Sequence, residues 1–337
     1  MEIIRRRAFA RAGLMGNPSD GYHGRTLSVT VPEFCAEVVL YEWEELEIIL
    51  SRDDRSRFGS ISELSRNVEL HGYYGGVRLV KATLRRFYEY CQQQGIVLHG
   101  RTFSIRYDSN IPRAVGLAGS SAIIVATLRA LMDFYGVAIP LELQPSLALS
   151  VETRELGIAA GLQDRVVQTY QGLVFMDFSA ELSREEAGLE FGVYERLDSL
   201  LLPPIYVAFS DKAGEPTEAT HGPLRARYDA GDVEVRNAMT RFAELADESK
   251  QALLEGDHVR FSRLMDENFD LRNSICDLSP VQLRMIETAR AAGASAKFAG
   301  SGGAIVGTYP DEESLGRLRK QLTDIGCEVV CLAPTPV

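Results

Sequence analysis

The stretch NIPRAVGLAGSSAII, residues 110–124, decides how the rest of the chain is read. Just before it, RTFSIRYD (Arg101–Asp108) alternates apolar and polar residues, the pattern of a half-buried strand. Just after it, Ile124, Leu128, Leu131 and Tyr135 recur at helical spacing, and Gly136 is placed to end the helix they predict. A strand that feeds a glycine-rich turn and then a helix presents unpaired backbone N–H groups at the positive end of the helix dipole, which suits a polyphosphate. Within Pro112–Ala122, Gly116 and Gly119 let the main chain come close to a ligand, and Ser120 and Ser121 add hydroxyls for phosphate oxygens or Mg²⁺. No Lys follows the glycines, so the loop is not of the Walker type. On its own it also reads as a plain helix cap preceded by a turn.

Composition narrows what such a loop can serve. The chain has 337 residues, enough for two domains, and a net charge of −11. That balance excludes the broad basic surface by which proteins collect on nucleic acid or acidic membranes. No run of about 18 apolar residues occurs, and no signal-length apolar run follows Arg5–Arg7, so a cytoplasmic protein with neither membrane nor nucleic-acid partners is expected. Five scattered cysteines, an odd number, argue for free thiols in a reducing compartment. Cys327 and Cys331 lack the companions needed for a zinc set.

Outward from the loop, residues 1–50 favour strands, with FCAEVVLY (Phe34–Tyr41) and LEIIL (Leu46–Leu50) the clearest. Residues 51–65 read as loop or short helix, and 74–94 as a helix. Leu141–Leu156 predicts a further helix and Gly172–Phe178 a strand. The polar stretch Ser179–Glu190 and the pair Pro203–Pro204 mark a boundary region, because neither continues regular structure easily. Beyond it come a short strand at Ile205–Ser210, helices at about 233–254, 257–274 and 279–292, the glycine-bearing SAKFAGSGGAIVGTY, and a closing helix and strand.

PRAVGLAGSSA resembles the second motif of the GHMP kinases, a family that includes galactokinase, homoserine kinase, mevalonate kinase and phosphomevalonate kinase. RAGLMGNPSD (Arg11–Asp20) is similar to their first motif and AKFAGSGGA (Ala296–Ala304) to their third, in the family's order across nearly the whole chain. The resemblance implies an α+β, two-domain fold. Residues 1–190 would form an N-terminal domain like the second domain of ribosomal protein S5, and 191–337 a ferredoxin-like domain, with the active site between them. GNPSDGYHGRTLS, GYYGGVRL and ELGIAAGLQDRV add similarity to the branch that phosphorylates a uronic acid, D-glucuronate, at its anomeric carbon. The implied ligands are ATP, Mg²⁺ and a small sugar acid, handled by a monomer or homodimer. Another sugar as acceptor, or a non-catalytic sugar and nucleotide sensor, are the alternatives.

The resemblance also assigns residues. Asp164 orients or deprotonates the acceptor hydroxyl, Arg11 lies near the transferred phosphoryl group, and Glu152 holds Mg²⁺ together with Ser121. Pro112, Gly116, Leu117, Ala118, Gly119, Ser120, Ser121 and Ala122 surround the nucleotide, joined by Gly300 and Gly302 of the third motif. Asp20 accepts hydrogen bonds from sugar hydroxyls. Asn17 stands where the galactokinase branch often has Glu, so an altered recognition pattern follows, unless Asn17-Pro-Ser-Asp20 is only an Asx or ST turn. The acceptor carboxylate calls for a cation, with Arg11, Arg25 and Arg113 in motif segments, and Tyr74 offers a hydroxyl or stacking face. Lys297 reads as an exposed residue at a strand start or as a source of charge.

Overall fold

The computed structural model describes residues 3–49, 75–210 and 217–332, with only the backbone path for 217–222. Tyr74 and the 51–65 segment lie outside the described residues.

The first sheet is built on two long strands, β1 (Ile3–Met15) and β2 (Arg25–Glu42), which pair antiparallel from Ile3↔Tyr41 to Met15↔Leu27. Along the other edge of β2, Ala36–Glu42 pairs with β4 (Phe103–Ser109), and Arg25–Val29 pairs with β5 (Leu173–Asp177). The short β3 (Glu47–Ile49) extends the sheet beyond β4. Helices cover one face: α1 (Gly76–Gln93), α2 (Gly119–Tyr135), α3 (Gln144–Ser150) and α4 (Gln163–Tyr170). Ala8, Ala10 and Ala12 on β1 are fully buried, and their small side chains let α2 sit close to the sheet. In return α2 buries Ile124, Leu128, Leu131 and Phe134, each worth about 1.5–3 kcal/mol when removed from water. Gly136 ends α2 in the left-handed conformation, as its position predicts.

After β5 come a hairpin, β6 (Arg184–Glu186) with β7 (Leu189–Phe191), and then β8 (Val193–Leu197), which pairs with β5. Ser179–Glu190 is therefore not a featureless boundary: Ala187 and Gly188, at φ 54° and 71°, make a tight turn between two short strands. The first sheet also continues past residue 190, the division expected from the sequence, because β8 completes its edge.

The second sheet has order β10-β11-β9-β12, all antiparallel, from β9 (Ile205–Phe209), β10 (Lys297–Phe298), β11 (Ala304–Thr308) and β12 (Glu328–Leu332). Among the described residues, five helices accompany it: α5 (Thr217–Asp229), α6 (Val233–Glu255), α7 (His258–Ile275), α8 (Pro280–Ala291) and α9 (Glu312–Asp324). The sequence hides α5, since Gly222 and Pro223 interrupt its pattern, yet the helix runs through Pro223. One continuous apolar core joins both sheets, and a second lies between β9–β11 and helices α8 and α9. All five cysteines are free thiols. Among the described residues no helix is long and apolar enough to cross a membrane.

Candidate active site

The phosphate loop enters α2 through Ala118, a non-glycine residue in the left-handed region at φ 64°. Such a conformation is costly for a residue with a Cβ and persists where its surroundings hold it. Here the Ala118 carbonyl accepts from Gln168 Nε2 of α4 at 2.8 Å, from Ser121 Oγ at 3.1 Å and from the Ala122 N–H at 3.2 Å. Gly116 also has positive φ, and a Cβ there would meet Gly302 O at 2.9 Å and Ser301 N at 3.0 Å. The third motif is thus packed directly on the second. Gly300 shows the same from the other side, because a Cβ would lie 2.3 Å from Gly116 O and 2.9 Å from Arg11 Nη1. Gly300→Ala is expected to pry the two loops apart and raise the KM for ATP about tenfold or more, with the sugar KM changed far less. Steady-state kinetics with each substrate varied in turn checks this.

Three basic side chains grip the third loop by its carbonyl oxygens. Lys297 Nζ donates to Phe298 O at 2.9 Å, Arg11 Nη1 to Ala299 O at 3.1 Å, and Arg272 to Gly300 O at 2.8 Å and Ser301 O at 3.1 Å. The two guanidiniums, Arg11 and Arg272, bring positive charge to the carbonyl side of this loop. Lys297 corrects the sequence expectation of an exposed side chain. It is fully buried, and it also donates to Gly13 O at 2.7 Å and Asn17 Oδ1 at 2.6 Å. Burial first, then the charges of Arg272 and Arg11, hold its amine well below the usual lysine range. Asn17 is buried with it, its side-chain oxygen taken by Lys297 and its backbone carbonyl accepting from Asn268 Nδ2 at 3.4 Å. Asn17 thus ties the first motif to the third.

Arg11 is the centre of the site. Its Nε donates to Asp164 Oδ1 at 2.6 Å, and its Nη1 bridges Gly116 O at 2.7 Å and Ala299 O. One planar guanidinium therefore joins all three motif segments and aims Asp164 at the same place. Asp164 stands in the first turn of α4, next to Arg165, whose Nη1 lies 3.5 Å from Asp164 Oδ2. Arg165 also donates through Nε at 2.8 Å, and through Nη2, to Oε2 of the buried Glu152. Glu152 sits on a single π-turn, Val151–Glu155, that widens the end of the helix predicted for 141–156. Its other oxygen, Oε1, accepts from Ser120 Oγ at 3.1 Å.

That contact changes the pairing expected from the sequence. Ser121 is wholly buried and spends its hydroxyl on Ala118 O, because one helical step turns it inward; Ser120 is the serine that faces Glu152. Arg25 is likewise engaged elsewhere, with Nε 2.9 Å from Asp247 Oδ2 and Nη1 4.0 Å from Asp177 Oδ2, between the first sheet and α6. Arg113 is exposed on the phosphate loop.

Asp20 occupies a 3₁₀ turn, Ser19–Tyr22, and packs so closely on the loop before α4 that a Cβ at Gly161 would meet its Oδ2 at 2.5 Å. Burial, then the negative charge of Asp164, push its carboxyl up to about 7, with Arg11 opposing. The unfolded chain gives up this proton near pH 4, whereas the folded chain keeps it until about 7. Stability contributed at Asp20 therefore falls as pH rises through that window, and the penalty is full above it. Asp20→Asn is expected to raise the unfolding temperature by roughly 2 °C or more at about pH 8 and by less at about pH 5.5, while weakening sugar binding. Calorimetry at the two pH values reads the difference.

Residues 78–172 match the family profile described as "GHMP kinases N terminal domain", and residues 249–326 that described as "GHMP kinases C terminal". Over 326 residues the chain is 43% identical to the protein of Arabidopsis thaliana named "Probable glucuronokinase 2", covering 95% of this chain and 88% of the relative. Glucuronokinase 1 of the same plant is 42% identical over 324 residues, with 94% and 88% covered. Among solved structures, Lactococcus lactis galactokinase complexed with galactose superposes with a TM-score of 0.75 at 15% identity, covering 99% of this chain and 94% of that one. Streptococcus pneumoniae phosphomevalonate kinase with phosphomevalonate and AMPPNP gives 0.75 at 17% identity, covering 98% and 100%. These distant structures speak to the fold, while the family profiles and the plant relatives speak to descent. With three motifs converging on Arg11 and both halves of the chain matched, this protein belongs to the GHMP kinase family.

Proposed function

We propose that this protein transfers the γ-phosphoryl group of ATP to the anomeric hydroxyl of D-glucuronate, releasing ADP and glucuronate 1-phosphate. The observation that carries the reading is the 43% identity, over 95% of the chain, to a plant relative named as a glucuronokinase. The geometry supplies a mechanism. The triphosphate lies on the loop at the N-terminus of α2, where N–H groups and the helix dipole favour negative charge. Asp164 takes the proton of the acceptor hydroxyl, whose oxygen forms a bond to the γ-phosphorus as the bond to the ADP oxygen breaks in line. Arg11 holds Asp164 in place and offers positive charge beside the phosphate loop. Asp20 accepts hydrogen bonds from ring hydroxyls.

Beside the loop, a Glu152 carboxylate oxygen and the Ser120 hydroxyl, 3.1 Å apart, are oxygen donors of the kind that would hold Mg²⁺. When bound there, Mg²⁺ neutralises charge on the triphosphate. The five free thiols suit a reducing compartment, so we place the enzyme in the cytoplasm.

An ADP-release assay across D-glucuronate, D-galacturonate, glucose and galactose tests the assignment. The highest kcat/KM is expected with glucuronate. A neutral hexose that matched or exceeded it would overturn the uronate reading.

A further inference from the structure

A hexuronate acceptor carries its reacting hydroxyl at one end of the ring and its carboxylate at the other. With the hydroxyl at Asp164, the carboxylate needs a cation on the far side of the sugar-binding residues. Arg11 is committed to Asp164, Gly116 and Ala299, and Arg25 to Asp247 and Asp177. The turn that holds Asp20 leads to a different arginine, outside the motif segments. Asp20 packs against Gly161 on the loop before α4, and two residues on, in the same 3₁₀ turn, Tyr22 lies under Arg225. Arg225, on α5, lies over the Tyr22 ring with its guanidinium carbon 5.3 Å from the centroid, and its Nη1 donates to Gly21 O at 2.9 Å. Tyr228, one turn along α5, packs on the same ring with centroids 4.6 Å apart, so the helix and the turn are clasped together.

The guanidinium is held without being used up. Its Nε donates to Asp229 at 3.1 Å and Nη1 to Gly21 O, yet the side chain is 57% exposed, and a guanidinium has five N–H donors in a flat fork. A fork fixed by stacking and two hydrogen bonds, with donors left toward solvent, is suited to a carboxylate.

We propose that Arg225 is the specificity-determining residue that receives the acceptor carboxylate, an inference that rests on the uronate reading above. Asp20 and Tyr22, on one 3₁₀ turn, then link the loop before α4 to Arg225.

The test compares wild type, Arg225→Gln and Arg225→Lys with D-glucuronate and with glucuronamide, the neutral amide on the same ring. Because the side chain is exposed, both variants are expected to fold, with unfolding temperatures within a few degrees of wild type. Arg225→Gln should lower kcat/KM for glucuronate about 30-fold, mainly through KM, as loss of a hydrogen bond to a charged group does. Its kcat/KM for glucuronamide should stay within about twofold, and Arg225→Lys should recover part of the glucuronate rate. An unchanged ratio of the two substrates in Arg225→Gln, whether neither falls or both fall together, overturns the assignment of Arg225 alone. Wild-type protein that releases ADP with another sugar but not with glucuronate overturns the uronate reading and this inference with it.

Discussion

Asp164→Asn is expected to lower kcat by about 10³-fold, within the range that a positioned acid or base supplies, and to leave the KM for ATP within a few-fold. The side chain keeps its shape and loses its charge and basicity. Arg11 loses its carboxylate partner at Nε, but its Nη1 still bridges Gly116 O and Ala299 O, so the nucleotide loops stay joined. The expected pattern is therefore a loss in the chemical step with binding retained. Near-normal turnover would remove Asp164 from the mechanism. A collapse of ATP binding to match the loss in kcat would make it a structural strut.

The second large effect concerns stability. Arg165→Met is expected to destabilise the fold by about 3–5 kcal/mol, because it strands the Glu152 carboxylate, only 2% exposed, without its cation. For a chain of this size that corresponds to roughly 10 °C in unfolding temperature. Glu152→Gln in the same chain removes the stranded charge, so the double variant should recover much of the loss while remaining poorly active. A full double-mutant cycle separates the pair's coupling from the cost of each truncation. If Arg165→Met alone unfolds at the wild-type temperature, the buried ion pair is not what holds the π-turn against α4.

The loop and its helix were legible because their signals are local: alternation in Arg101–Asp108, the glycines, and the stripe through Ile124, Leu128, Leu131 and Tyr135 all lie within 35 residues. Asp164 and Glu152 were reached only through family resemblance, since an acid near a helix start is a common surface feature. What could not be read are the contacts that close the site across the chain. Lys297 reaches Gly13 and Asn17 from more than 270 positions away, and Arg272 reaches the third loop from a helix whose pattern shows only a buried face. Ser120 and Ser121 differ by one helical step, so which of them meets Glu152 depends on where α2 begins. Arg25 looks like a motif residue in the sequence, but its partner Asp247 comes from a helix in the second half. Arg165, by contrast, has a local signal, a cation immediately after Asp164 in LQDRV.

The acceptor is the point on which the proposed reaction stands or falls. The most direct test is phosphorus and proton NMR of the product made from ATP and D-glucuronate. The expected product is a new phosphate ester whose phosphorus couples to the anomeric proton, with stoichiometric ADP. A phosphate on another hydroxyl, or ADP released as free phosphate accumulates with the sugar untouched, would contradict it.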